Sequence, residues 1–207
     1  MRKSVLAVFA STFVLLSSSS AFAAIIFEPS PATGISTRGA GSSIMTRFEV
    51  TADTAINGIG IETDLESDGN MNFVIFNSLT GALLYQSGST AFIDDGYNFN
   101  VSNPLAFTLE VGTRYAIGAM ADVASLQGYS VPGGATVGSI SSLGQNQNAV
   151  GFLNPTFQSQ LNSTDGRIRL LGDVEETATP VPEPASMLLL GTGLFGAGIR
   201  RWRQARA

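Results

Sequence analysis

Three glycines near the C-terminus, Gly191, Gly193 and Gly196, reproduce the G-x-G-x-x-G spacing of a dinucleotide-binding turn. Such a turn needs a preceding strand, a following helix and an acidic residue about 20 positions further on. No Asp or Glu follows Gly196. The uncharged, apolar surroundings favour a membrane helix, in which small residues allow close helix packing. We therefore expect no nucleotide site here.

The segment Asp64-x-Glu66-x-Asp68-Gly69 places carboxylates at alternate positions before a glycine, the ligand type that calcium prefers in a turning loop. The twelfth position of an EF-hand loop would be Ile75, and no helical pattern flanks the segment. Two interpretations stay open. One is a weak calcium site formed by Asp64, Glu66 and Asp68. The other, which we prefer, is a solvated acidic hairpin turn with a positive φ at Gly69.

A second acidic turn, Asp94-Asp95-Gly96, directly precedes Tyr97. Adjacent residues of a strand point to opposite faces, so these two carboxylates would make a poor catalytic pair. An aromatic ring beside polar groups is typical of a sugar-binding site. Tyr97, with Asp94 and Asp95, is therefore the candidate carbohydrate contact. The alternative interpretation of Tyr97 is a core aromatic residue at a strand edge.

The residue types that are missing restrict catalysis. The chain has no His and no Cys, and its only lysine is Lys3. An exported domain without them cannot use Ser-His-Asp, Cys-His or Schiff-base mechanisms. Two carboxylates could still hydrolyse a glycoside, but no spacing marks such a pair. We predict a protein that is not an enzyme, with a carboxylate-based glycoside hydrolase as the least favoured alternative.

The charge distribution argues against nucleic-acid binding. The net charge is -5, and all 16 acidic residues lie between Glu28 and Glu183. That stretch contains only five arginines and no lysine. A surface of this sign repels phosphate backbones.

Residues 1–23 have the three regions of a secretory signal peptide. Two basic residues follow Met1, and residues 5–16 are almost entirely apolar. Ala21 and Ala23 supply the small side chains that a cleavage site requires. We expect export through the Sec translocon and cleavage by signal peptidase after Ala23, with cleavage after Ala24 as the alternative.

The C-terminal residues fall into consecutive parts with different physical properties. Residues 172–180 are polar and indicate a linker. Residues 181–184 are extended, because each proline restricts itself and the residue before it. Residues 185–199 are uncharged and predict a single transmembrane helix, somewhat short for a hydrocarbon core of ~30 Å. A basic cluster follows and predicts a cytoplasmic C-terminus. It consists of Arg200, Arg201, Arg203 and Arg206.

Val181, Pro182, Glu183 and Pro184, followed by the apolar stretch and the basic cluster, resemble the PEP-CTERM sorting signal over residues 181–207. The resemblance implies a Gram-negative bacterial protein that an exosortase processes at or near this motif. The helix would then be a transient inner-membrane anchor. The resemblance also implies a mature domain at the cell surface or in the extracellular matrix, associated with exopolysaccharide and biofilm.

Residues 24–171 show short apolar runs with alternation and no helical periodicity. They predict an all-β domain, an antiparallel β-sandwich of jelly-roll type with roughly eight to ten strands. The clearest predicted strands are 44–50, 56–61, 71–76, 83–86, 97–101, 105–109, 114–120 and 167–171. The predicted aromatic core consists of Phe48, Phe73, Phe76, Phe107 and Tyr115. Residues 126–149 predict a long loop with one or two weak strands.

Three hypotheses of function follow. The preferred one is an exported structural or adhesive component of the matrix. The second is a carbohydrate-binding module for the organism's own exopolysaccharide, and the third is the hydrolase.

Overall fold

The computed structural model describes residues 23–131 and 133–173. All regular elements in these ranges are β-strands, and every pairing between them is antiparallel. The prediction of an all-β antiparallel domain is therefore confirmed. The same ranges contain no helix long and apolar enough to cross a membrane. The predicted signal-peptide residues 1–22, most of the linker and the whole sorting signal lie outside the described residues.

The described ranges contain 17 strands, more than the roughly eight to ten predicted from turn spacing. In chain order they are β1 (Ala23–Phe27), β2 (Gly34–Arg38), β3 (Ser42–Val50), β4 (Thr54–Ile56), β5 (Gly58–Leu65), β6 (Gly69–Asn77), β7 (Leu83–Gln86), β8 (Thr90–Phe92), β9 (Asn98–Val101), β10 (Phe107–Leu109), β11 (Tyr115–Ala121), β12 (Ser125–Ser130), β13 (Thr136–Val137), β14 (Ile140–Val150), β15 (Thr156–Asn162), β16 (Asp165–Gly166) and β17 (Ile168–Asp173).

The strands form two large sheets and one small ribbon. The first sheet has seven strands in the order β1-β17-β5-β12-β16, with β2 on β12 and β9 on β5. The second sheet has eight strands in the order β13-β14-β3-β11-β6-β7, with β15 on β14 and β8 on β6. β4 and β10 pair only with each other in the two-stranded ribbon.

Both large sheets contribute to one hydrophobic core. Phe27 of the first sheet and Phe48 of the second are fully buried, and their rings meet edge to face with centroids 5.1 Å apart. Ile59 and Leu170 belong to the same cluster as Phe73 and Tyr115. A core shared by two sheets is what a sandwich requires, and the jelly-roll connectivity stays a prediction.

The second sheet is also covered on its other face. A second buried cluster there contains Met45, Val74 and Phe76, with Phe152 packed against it. β3 is therefore buried on both faces, although the alternation in residues 44–50 predicted only one. Of the predicted core aromatics, Phe107 is only partly buried.

Residues 126–149 are not the predicted long loop. They include most of β12, all of β13 and most of β14, which has 11 residues and is the longest strand in the described ranges. Polar residues fill buried positions of these strands; Gln127 Oε1, for example, accepts a hydrogen bond of 2.9 Å from the backbone N–H of Ile44. Hydrogen-bonded polar residues hide the apolar alternation by which a strand is normally recognised.

The first and last described strands lie side by side. Ala23 is opposite Asp173, and Ala24 is opposite Gly172. β17 thus continues two residues past the predicted domain end at Leu171. β1 begins at Ala23, the last residue of the predicted signal peptide.

Candidate functional site

Three strands of the first sheet meet at Glu62, Gly128 and Arg167. β17 pairs with the first half of β5, and β12 pairs with the second half. Glu62 lies where β5 changes its partner from β17 to β12, and its backbone N–H donates to the carbonyl of Arg167 at 3.1 Å. The N–H of Arg167 donates in turn to the carbonyl of Gly128 at 2.9 Å. The Arg167 side chain therefore starts from a junction where three strands are already fixed.

The Arg167 side chain is 6% exposed and is used almost completely in internal hydrogen bonds. Its Nε donates to Glu62 Oε2 at 3.1 Å, and its Nη2 donates to Glu28 Oε1 at 2.8 Å. Its Nη1 donates to the carbonyls of Pro29 at 2.5 Å and Ser30 at 2.8 Å. Arg167 thereby attaches the segment that follows β1 to the strand junction.

Arg169 completes the arrangement on the same face of β17. Its Nε donates to Glu28 Oε2 at 2.7 Å, and its guanidinium carbon lies 3.7 Å from the centroid of the Phe99 ring. A guanidinium over an aromatic face is attracted by the ring quadrupole. We call Glu28, Glu62, Arg167 and Arg169 the arginine clamp.

The environment of Glu28 favours its charged form. Burial raises the pKa of this carboxyl, but hydrogen bonds and charges from Arg169 and Arg167 outweigh burial and hold the pKa below 4.5. Glu28 is thus the anion that both arginines require. With two carboxylates and two guanidinium groups, the arginine clamp balances its own charges.

Tyr97, the predicted carbohydrate contact, lies at the border of the arginine clamp. Its hydroxyl donates to Glu62 Oε2 at 3.4 Å, and the residue is 36% exposed. The hydroxyl lies against Gly128, where an added Cβ would be 2.0 Å from the tyrosine oxygen. Burial first, and then the Glu62 charge, raises the pKa of Tyr97 to about 12. At neutral pH Tyr97 is therefore a hydrogen-bond donor and not a nucleophile.

The two acidic residues predicted beside Tyr97 have other hydrogen-bond partners. The backbone N–H of Asp94 donates to Asp68 Oδ1 at 2.9 Å, and Asp95 Oδ1 accepts from the Asn98 side chain. The turn itself is as predicted, since Gly96 has a φ of 87°. The hydroxyl of Tyr97 meets Glu62 instead, a residue that the sequence analysis did not select.

The predicted calcium ligands are not brought together. In the part of the chain that the structure describes, no three Asp or Glu side chains form a group that could hold a metal ion. Asp64 lies within β5, opposite Leu126, and Glu66 follows the strand. The preferred interpretation holds in part: residues 66–68 are exposed, as a solvated acidic turn requires. They connect β5 of the first sheet to β6 of the second, however, so the turn is not a hairpin.

Gly69 has a steric role in place of the predicted turn conformation. It is the first residue of β6 and is not among the glycines with positive φ. A Cβ there would lie 2.8 Å from Asp122 Oδ1 and from a Val123 methyl group. A close approach of two chain segments therefore explains this glycine.

Asp165 is a further buried acid that the sequence did not reveal. It is fully buried, and its Oδ2 accepts from the Gly134 N–H and the Ser142 hydroxyl, each at 2.7 Å. Its Oδ1 has no partner with full hydrogen-bond geometry, although the backbone N–H groups of Gln145 and Gly144 are close enough to lower the pKa of this carboxyl. Burial raises the pKa of Asp165 and outweighs the donors around it.

One sequence signal could have located the arginine clamp. Arg167 and Arg169 lie two positions apart in a predicted strand, so both project from one face. Two cations on a mostly buried strand require anions nearby. The partners Glu28 and Glu62 are separated from them by more than 100 residues, so no local spacing identifies the pair.

The sorting signal predicted beyond the described residues is supported by comparison with known families. The family model of the PEP-CTERM protein-sorting motif matches residues 180–204. The match includes the motif Val181–Pro182–Glu183–Pro184 and the first three arginines of the basic cluster, and Arg206 lies two residues beyond it. No curated protein matches the chain. The chain thus carries a PEP-CTERM protein-sorting motif, the mark of an exported protein that an exosortase sorts to the cell surface.

Proposed function

We propose that this chain is an exported structural or adhesive component of an exopolysaccharide or biofilm matrix, without enzymatic activity, in a Gram-negative bacterium. The observation that carries the proposal is the sorting motif at residues 180–204, placed after an antiparallel β domain. In this account the Sec translocon exports the chain and signal peptidase removes residues 1–23. The exosortase then acts at or near Pro182-Glu183-Pro184, while residues 185–199 form a transient anchor in the inner membrane.

The chemistry of the described domain is consistent with a structural role. The Arg167 donors bind Glu28, Glu62 and two carbonyl groups, so this buried cation is not available to a substrate. We also propose that the two sheets form a sandwich with jelly-roll connectivity. A domain of that type can present wide sheet faces to a polymer while its charged groups stabilise the fold.

A substitution in the motif tests the sorting step. In cells with an active exosortase, we expect Glu183→Gln to leave the basic cluster on the protein and to increase the membrane-bound fraction. Glu176→Gln, outside the matched residues, is the control and should be processed normally. The C-terminal peptide identified by mass spectrometry is the readout. Retention of the basic cluster in the unsubstituted protein, with and without the exosortase, would disprove the proposed processing.

A second candidate function is glycan binding at Tyr97. The observation in its favour is a partly exposed ring whose hydroxyl donates to Glu62, a residue of the arginine clamp. The test is a glycan array probed with a soluble fragment of residues 24–179, with and without calcium. Tyr97→Ala should abolish binding, whereas Tyr97→Phe should retain most of it. No signal on acidic or neutral glycans would exclude this candidate.

A further inference from the structure

The bond predicted for signal-peptide cleavage, Ala23–Ala24, lies inside a strand. β1 runs antiparallel to β17, with Ala23 opposite Asp173, Ala24 opposite Gly172 and Ile25 opposite Leu171. A residue in a paired strand has its backbone groups directed at the neighbouring strand or held in register by it. A protease must take such a bond out of the sheet before it can cleave.

Two sets of contacts, at the end of β1 and directly after it, strengthen this pairing. Phe27 is fully buried against Phe48 of the second sheet. Immediately after it, Glu28 and the carbonyls of Pro29 and Ser30 bind Arg167. The strand therefore cannot leave β17 without uncovering a core aromatic ring and a buried guanidinium.

The partner strand is the last of the described strands to be exported. Export begins at the N-terminus, and β17 is the last strand of the described ranges. β17 is the strand with which β1 pairs, and the clamp residue Arg167 directly precedes β17. Neither the pairing nor the arginine clamp can form before the chain has been exported to about residue 173. Until then the strand that contains the Ala23–Ala24 bond has no β17 to pair with, and the bond stays accessible to a protease.

We propose that signal peptidase cleaves before β1 pairs with β17, and that closure of the arginine clamp protects the cleavage bond in any precursor that folds first. The proposal rests on the proposed function, which treats residues 1–23 as a cleaved signal peptide. It adds an order of events: export of β1, cleavage after Ala23, export of β17, and closure of the domain.

An engineered disulfide reports the pairing. The chain has no cysteine, and Ile25 and Leu171 are register partners, so the double variant Ile25→Cys, Leu171→Cys can form one disulfide in the oxidising cell envelope. A pulse-chase experiment follows cleavage by mobility on a reducing gel and the disulfide on a non-reducing gel. The variant Ile25→Cys, Val111→Cys is the control and should form no internal disulfide.

The proposal predicts that the disulfide forms only in the cleaved protein. In a slowly cleaved variant with the additional change Ala21→Leu, disulfide-linked precursor should accumulate and remain uncleaved. Conversion of disulfide-linked precursor into cleaved protein would overturn the order, and so would the absence of any disulfide in cleaved protein. A mature chain that keeps residues 1–23 would instead contradict the proposed export step.

Discussion

Arg167 Nη2 and Glu28 Oε1 lie 2.8 Å apart although 139 positions separate the two residues in the chain. Their ion pair connects the segment after the first described strand to the start of the last one. Removing both groups from water costs energy that only a well-bonded pair recovers. The additional bonds to Glu62, Pro29 and Ser30 supply that compensation.

Arg167→Ala should destabilise the domain by about 3 kcal/mol, because it leaves Glu28 and Glu62 without their common cation and two carbonyls without a donor. Urea unfolding of the 24–179 fragment measures the change. Arg114→Ala is the matched control. Arg114 binds Glu49 at 3.4 Å, but both side chains are about half exposed, so the expected loss is below about 0.5 kcal/mol. Equal losses in the two variants would contradict a structural role for the clamp.

Phe27→Ala should destabilise the same fragment by about 3–5 kcal/mol, because a fully buried ring leaves a cavity against Phe48. Ile25→Ala, in the same strand but 51% exposed, should cost about 0.5 kcal/mol or less. Thermal unfolding distinguishes the two. A small effect of Phe27→Ala would show that β1 is not part of the core.

Glu62→Gln should lower the pKa of Tyr97 from about 12, because it removes a negative charge and weakens a hydrogen bond. Burial remains the largest cause, so the pKa should stay above 10.0. NMR titration of tyrosine ring carbons resolves Tyr97 from the other three tyrosines, and the spectrum of Tyr97→Phe assigns its signal. If the pKa of Tyr97 is unchanged in Glu62→Gln, the hydrogen bond between Tyr97 and Glu62 is excluded.

Asp165 should make the domain less stable as the pH rises. Its pKa in the folded state is raised above 3.8, so its stabilising contribution is complete below that value and is lost as the pH increases through the folded-state pKa. Glu28 acts in the opposite direction: its lowered pKa contributes stability above 4.5 that is lost on acidification.

The comparison with Asp165→Asn separates the two effects, because the amide oxygen can still accept from Gly134 and Ser142 but cannot ionise. The free energy of unfolding of the unsubstituted fragment, relative to this variant, should decrease as the pH rises from 3.8 through the raised pKa of Asp165. Asp165→Ala should be destabilised across the whole range. A difference that is independent of pH would mean that Asp165 does not ionise with a raised pKa.

The sequence alone predicted the strands whose apolar residues alternate or cluster. Residues 83–86 form β7 at the predicted bounds, and the aromatic residues Phe48, Phe73 and Tyr115 are buried as expected. These predictions succeed because periodicity and turn glycines are local properties of the chain. Gly96, for example, has a φ of 87° in the predicted Asp94-Asp95-Gly96 turn.

Other features depend on pairing between distant residues. The sequence predicted at most a weak strand at β14, because Ser142, Asn146 and Gln147 occupy buried positions through hydrogen bonds. The arginine clamp was missed because its acids come from β5 and from the segment after β1. Tyr97 stays the predicted carbohydrate contact, and its hydroxyl partner is Glu62, 35 positions away, which no local pattern indicates.

Intact-mass spectrometry of the protein isolated from its own bacterium tests the central claim most directly. The account predicts a mature chain that begins at Ala24 and lacks the basic cluster Arg200, Arg201, Arg203 and Arg206. The same protein from cells without the exosortase should keep that cluster. A mass in exosortase-containing cells that includes the basic cluster would contradict the proposed sorting, whatever the β domain binds.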